Sequence, residues 1–158
     1  YENEIMNGTS DTLFSPNAEL TRGMVVTILY RMEGEPFTLG SKSFSDVKAG
    51  RYYSEAVEWA AENGIVNGFT DGTFKPDQAV TREQLASILR RYASFSGIAT
   101  YDAELPANAS VSNWAKKDVA WAYAEGILTS AQTAAAAKNA NRAEVAMAIY
   151  AYLTGTAR

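Results

Sequence analysis

The sequence predicts an all-α fold assembled from repeated helix-loop-helix units, and three observations carry that prediction. First, Gly64 to Gln84 reads GIVNGFTDGTFKPDQAVTREQ, a turn-rich loop running into a helix start. Asn67-Gly68 and Asp71-Gly72 are turn dipeptides, Pro76 fixes φ and removes a donor, and Thr81 with Gln84 three residues on has the pattern of a capping box. Second, the stretch recurs. Glu4 to Met24, sixty residues earlier, reads EIMNGTSDTLFSPNAELTRGM and keeps Ile5, Asn7, Gly8, Asp11, Phe14, Pro16, Thr21 and Arg22. Sixty residues later, Asn141-Arg142-Ala143-Glu144 stands where Thr81-Arg82-Glu83-Gln84 stands. Third, each of these starts leads into apolar residues at i, i+3, i+4 and i+7, one face of an amphipathic helix. A fixed period of this kind means a repeat architecture.

The elements follow in order. The first unit is a rear half, 1–34, in which Thr21 caps a helix with Val25, Ile28, Leu29 and Met32 inward; Gly23 and Met24 spoil its capping box. Gly34 to Ser43 is a linker. The second unit, 44–95, is complete. Phe44-Ser45-Asp46-Val47 leads to a helix from about Tyr53 to Asn63 with Ala56, Val57 and Ala60 inward and Gly64 as its stop. Glu55, Glu58 and Glu62 form a row on another face, expected to be solvated. The loop follows, then the capped helix with Leu85, Ile88, Leu89 and Tyr92 inward. After a second linker around Pro106, the third unit, 106–154, resumes with a helix from Trp114 to Glu125 that stops at Gly126. Aligning Gly126 with Gly64 sets Trp114 on Tyr52, Trp121 on Trp59 and Asn108 on Asp46. Its loop, ILTSAQTAAAAKNA, lacks the Asp-Gly turn and the Phe-x-Pro and reads as decayed. Asn141 and Glu144 still cap a helix that points Val145, Ala148, Ile149 and Tyr152 inward.

Three capped helices cannot each bury an apolar face alone. The simplest packing is a pseudo-threefold bundle of the three central helices within one domain, 1–158, with each unit's first helix outside; a right-angled solenoid is the rival. The 158 residues, 47% hydrophobic and 20% charged, suit an ordinary globular chain. A formal net charge of −4 argues against duplex nucleic acid, which needs a basic footprint. With no Cys and no His, disulfides, thiolate metal sites and the commonest general base are all missing, so neither metal nor cofactor is expected. No apolar run approaches a membrane span, and the chain does not begin with Met or carry a signal peptide, which reads as an excised or processed piece.

The ordered set of motifs resembles the S-layer homology (SLH) module: Phe44, Asp46 and Val47; Gly64, Ile65, Gly68, Asp71, Gly72, Thr73, Phe74 and Pro76; then Thr81 and Arg82. The likeness spans nearly all of the second unit and the rear of the first. In the third it is confined to Trp114-Ala115, Gly126-Ile127 and Arg142-Ala143-Glu144. The resemblance implies non-catalytic anchoring on a bacterial cell surface, through grooves that bind a secondary cell-wall polysaccharide, often ketal-pyruvylated. It assigns ligand binding to Arg22, Arg82 and Arg142, and groove positions to Asp46 with Tyr52 and to Asn108 with Trp114. Gly68, Thr81 and Lys75 complete the candidate ligand-binding set, Lys75 as a second cation that Ser15 does not match in the first unit.

The chemistry agrees with that assignment. A guanidinium offers a fork of donors suited to a carboxylate, and at a helix start it adds to free N–H groups and the positive dipole end. Each residue also has a plainer role open to it. Arg82 would cover the helix end or pair with Asp77 or Glu83, Gly68 would serve its turn, Trp59 and Trp121 would pack, and Tyr52 and Trp114 fit core or groove equally. The missing front of the first unit removes one groove wall unless another chain or segment supplies it. One working groove is therefore expected, where Arg22 or Arg82 meets an intact neighbour. Against the anchor stand a protein-interaction scaffold of degenerate repeats and a glycan-active enzyme, the latter needing facing carboxylates that no repeated pair supplies.

Overall fold

A computed structural model describes residues 17–156. The expectations for Ile5, Asn7, Gly8, Asp11, Phe14, Ser15 and Pro16 lie outside the described residues. The described residues are all-α: six helices, with no β structure beyond two isolated bridges. The chain divides into two compact units, Tyr1–Ala79 and Val80–Arg158. Neither coincides with a sequence repeat; each joins the rear helix of one repeat to the front of the next.

The first unit holds α1 (Arg22–Met32) and α2 (Ser54–Glu62). Thr21 takes extended backbone and its hydroxyl accepts from the Met24 amide at 3.1 Å, half of a capping box, as the sequence implies. Val25, Val26, Ile28 and Leu29 are buried, whereas Met32 is only half-buried. α2 lies against α1, with Trp59 buried and its ring 5.6 Å from Tyr30. Each such large apolar side chain contributes roughly 1.5–3 kcal/mol on leaving water. α2 ends where Gly64, at φ +74°, lets the Ile65 amide return to the Ala60 carbonyl at 2.8 Å.

The glutamate row on α2 is not simply solvated. Glu62 accepts from the Leu39 and Ser41 amides and the Ser41 hydroxyl, and Glu58 accepts from Thr38. The row holds the linker onto the helix, and the Ser41 amide foremost draws the Glu62 carboxyl below its usual pKa. Periodicity identifies an acidic face but not the loop amides that come to meet it.

The second unit holds α3 (Arg82–Phe95), a 3₁₀ turn at Asn113–Ala115 leading into α4 (Lys116–Ala124), a short α5 (Ser130–Thr133) and α6 (Arg142–Thr156). Both long helices open on reciprocal caps. Thr81 accepts from the Gln84 amide as Gln84 accepts from that of Thr81, and Asn141 and Glu144 do the same. Leu85, Ile88 and Leu89 of α3 and Val145, Ala148 and Ile149 of α6 are buried, and Tyr92 meets Tyr152 at 5.6 Å. Gly126 ends α4 as Gly64 ends α2. The loop read as decayed is ordered differently: Thr129 and Gln132 make a capping box of their own and wind α5. That Thr-x-x-Gln spacing was open to view, masked by the alanines around it.

One device recurs. Thr21 bridges Ala79, and the first two amides of α1 donate to the Gln78 and Pro76 carbonyls, both at 2.8 Å. In the second unit Thr81 bridges Asn139, and the Arg82 and Glu83 amides donate to Lys138 and Ala136 at 2.9 Å. Gly23 is required by this approach: a Cβ there would stand 3.0 Å from the Pro76 oxygen and 3.2 Å from the Tyr53 ring.

Candidate functional site

The site in the first unit is built on the intact loop. Asp46 accepts from the amides of Phe74 (2.9 Å) and Lys75 (2.8 Å), pinning the loop at Lys75, which sits at φ +59°, an unusual value for a side-chain-bearing residue. Asp71 accepts from the Thr73 amide and hydroxyl, and the Phe69 amide closes the turn onto the Thr73 carbonyl. Gly68, at φ +76°, has no room for a side chain, since a Cβ would lie 2.3 Å from the Phe44 ring and 2.9 Å from the Thr73 oxygen. Asp46 and Gly68 thus shape the loop.

Arg22 reaches into that loop from the start of α1. Its Nε donates to the Phe74 carbonyl at 2.9 Å, and its guanidinium carbon lies 4.7 Å from the Phe69 ring centre and 4.6 Å from that of Phe74. The residue is 7% exposed. Burial pulls its pKa down to about 10, and the nearby Asp46 charge restores only part of the loss. The cation persists at neutral pH. Among the described residues no carboxylate comes within ion-pair distance of it, and neither Nη group has a hydrogen-bond partner. Lys75 brings a second cation to the same ring, its Nζ 4.4 Å from the centre of Phe69.

Tyr52 is 57% exposed and stands edge-on to Tyr53. It borders a hollow of about 340 Å³ with Thr27, Tyr30, Arg31, Arg51 and Ser54, a lining that does not include Arg22. The first unit therefore gathers Arg22, Lys75 and Asp46 on one loop and sets Tyr52 beside a different hollow.

The second unit treats the equivalent arginine otherwise. Arg82 grips Glu144 through a two-pronged pair, Nε to Oε1 at 3.2 Å and Nη2 to Oε2 at 2.6 Å, and its Nη1 donates to the Ala135 carbonyl. Arg82, first among several causes, holds the Glu144 carboxyl below the usual carboxylate range. Neither Asp77 nor Glu83 is its partner; Glu83 instead accepts from the Ser112 amide and hydroxyl. Arg142 is buried at the start of α6, Trp114 is 60% exposed, and Asn108 accepts from the Ser130 hydroxyl. The Thr81 hydroxyl is occupied with capping.

One expectation is corrected. The first amides of α1 and α3 are not open to an anion, because loop carbonyls and the threonine caps already take them. Any anion selectivity at Arg22 rests on its side chain and Lys75. Two neighbours of these arginines carry no signal in the sequence. Phe69 has Thr9 at its place in the first repeat, so repetition does not flag it, and Glu144 reads as a cap until the fold brings Arg82 beside it.

The sequence matches the S-layer homology domain family over residues 1–23 and 43–86. The amylopullulanase of Thermoanaerobacterium thermosulfurigenes is 33% identical, over 94% of this chain and 8% of its own length. The surface-layer 125 kDa protein of Lysinibacillus sphaericus is 28% identical over 81% of this chain and 11% of its own length. The cellulosome-anchoring protein of Acetivibrio thermocellus is 26% identical over 55% of this chain and 20% of its own. The chain thus spans a small fraction of the relatives it matches.

Proposed function

From a chain whose residues 1–23 and 43–86 belong to the S-layer homology domain family, we infer a non-catalytic anchoring module that holds a larger protein on a bacterial cell surface by binding an acidic cell-wall polysaccharide. The names of the relatives support the anchoring part: one is a surface-layer protein and another a cellulosome-anchoring protein. The enzymatic name of the amylopullulanase belongs to a protein of which this chain matches 8%. No helix among the described residues is long and apolar enough to cross a membrane.

The observation that carries the reading is Arg22. A buried cation with no ion-pair partner among the described residues is costly, and an incoming carboxylate relieves that cost while meeting both Nη groups. A charge-assisted hydrogen bond of this kind contributes about 1.5–3 kcal/mol. Lys75 adds a second positive group, and a pyruvyl ketal on a sugar supplies the carboxylate. Arg142, Trp114 and Tyr52 take auxiliary places in this reading. The Arg82–Glu144 pair favours the scaffold alternative for the second unit, since it spends the equivalent arginine internally.

Sedimentation with purified cell walls, intact or stripped of the secondary polysaccharide, tests it. The wild-type chain co-sediments with intact walls only, and Arg22→Met abolishes that while keeping its melting temperature. Binding that is unchanged in Arg22→Met, or indifferent to stripping, leaves the scaffold reading.

A further inference from the structure

The sequence holds three Asn-Gly pairs, Asn7-Gly8, Asn63-Gly64 and Asn67-Gly68, and the first lies outside the described residues. The pairing matters chemically, because glycine carries no side chain to obstruct its own amide nitrogen. That nitrogen, once it yields its proton to base, attacks the asparagine side-chain carbon. Ammonia leaves and a five-membered succinimide remains. Water then opens one or the other imide carbonyl, giving aspartate or isoaspartate. In isoaspartate the chain runs through the former side chain, which adds one methylene to the backbone. Ring closure asks two things of the fold: the glycine amide must be available, and it must turn toward the asparagine Cβ.

The two described pairs stand close together and both asparagines are exposed, so access to water does not separate them. Asn63 closes α2 and is held there. Its own amide and its side-chain Nδ2 both donate to the Trp59 carbonyl, at 3.1 and 2.9 Å, and the Gly64 amide donates to the Ala61 carbonyl at 3.3 Å. With ψ at 10°, Asn63 directs the Gly64 nitrogen well away from its own Cβ, and turning it back would undo the helix end. Asn67 and Gly68 lie in the loop, outside any helix, and among the described residues the Gly68 amide donates to no backbone carbonyl. We propose that Asn67-Gly68 is a site of spontaneous deamidation, that Asn63-Gly64 is protected from it, and that isoaspartate at 67 loosens the loop against Arg22. The Gly68 backbone is wedged: a Cβ on it would stand 2.3 Å from the Phe44 ring and 2.9 Å from the Thr73 oxygen. A methylene added immediately ahead of it displaces one of these, and with Thr73 goes the 2.8 Å bond from the Phe69 amide. Phe69 is one of the two rings beside the Arg22 guanidinium. The aspartate product keeps the chain length and spares these contacts. The inference does not use the polysaccharide reading, and the two fail separately.

The test incubates the 158-residue chain in mildly alkaline buffer and follows each asparagine by peptide mass spectrometry, which reads the exchange of amide for acid. Synthetic peptides of residues 60–66 and 64–70 set the unconstrained rate of each pair. In the chain, Asn67 keeps within several-fold of its peptide. Asn63 falls behind its own by about tenfold or more, because hydrogen bonds at the helix end must break first. Asn67→Gln removes the fast conversion and leaves the slow one. The isoaspartate form, separated by chromatography, melts several degrees below the unconverted chain, whereas Asn67→Asp melts close to it. An Asn67 as slow relative to its peptide as Asn63, or an Asn63 that converts first, overturns the proposed site. An isoaspartate form that melts with the unconverted chain overturns the proposed loosening.

Discussion

Arg22 and Arg82 occupy the same place in the repeat, open equivalent helices, and donate to a carbonyl in the loop that follows, yet they do different work. Arg82 faces a carboxylate from its own unit and is neutralised by it. Arg22 faces two aromatic rings and one carbonyl, with no carboxylate at ion-pair distance among the described residues. The difference lies in what each meets. The second repeat offers an intact Phe-Thr-Asp-Gly-Thr-Phe loop, and the third offers α5 and Glu144. A repeated arginine is therefore not one environment repeated; the neighbouring loop decides what its charge meets.

The largest effect separates the two loops by backbone. Gly68 and Gly126 share nearly the same positive φ, but only Gly68 is crowded. Gly68→Ala should cost on the order of 3 kcal/mol, and Gly126→Ala about 1 kcal/mol, both read from denaturant melts. Equal losses would show that φ alone matters at both sites.

Next come the arginines themselves. Arg82→Met strands Glu144 in a half-buried position and should destabilise by about 1–3 kcal/mol, whereas Arg22→Met should be near neutral, because it breaks no ion pair among the described residues and removes a buried charge. A loss at Arg22 equal to that at Arg82 would erase the contrast drawn above. Acid melts sharpen it. The Glu144 carboxyl titrates lower in the folded state than its ordinary 4.5, so its contribution is full above that value and disappears as pH falls through the lowered folded pKa. Glu144→Gln should remove this part of the acid dependence and should leave cell-wall binding through Arg22 intact.

The smallest expected effect is at Lys75. Lys75→Gly relieves a positive φ and should stabilise by up to about 1 kcal/mol, while weakening polysaccharide binding several-fold through loss of the second cation. A change in stability with no change in binding would confine Lys75 to the loop.

Much of the fold was legible because its signals are local. Caps at Thr21, Thr81 and Asn141, stops at Gly64 and Gly126, and apolar faces at helical spacing all depend on residues within two turns of one another. The inward placement of Trp59 and Trp121 and the exposure of Tyr52 and Trp114 were only partly legible; both tryptophans lie mid-helix, but a residue just ahead of a helix fits either side of a surface. What stayed hidden depends on partners far along the chain. Asp46 meets amides 28 and 29 residues on, Arg22 meets a carbonyl 52 residues on, and Arg82 meets a carboxylate 62 residues on. Repetition identified the arginines, but an ion pair between two repeats leaves no trace in either motif alone.

The bridges from Thr21 to Ala79 and from Thr81 to Asn139 also fix where such an array tolerates scission. A break within 34–43, the border suggested by the sequence motif, parts α1 from the carbonyls that bind its leading amides. A break between Ala79 and Val80 severs none of the hydrogen bonds described above. A crossover that lengthens or shortens such an array should break fewest of these bonds when it falls just ahead of a capped helix, and an engineer inserting a copy should measure from cap to cap rather than from linker to linker.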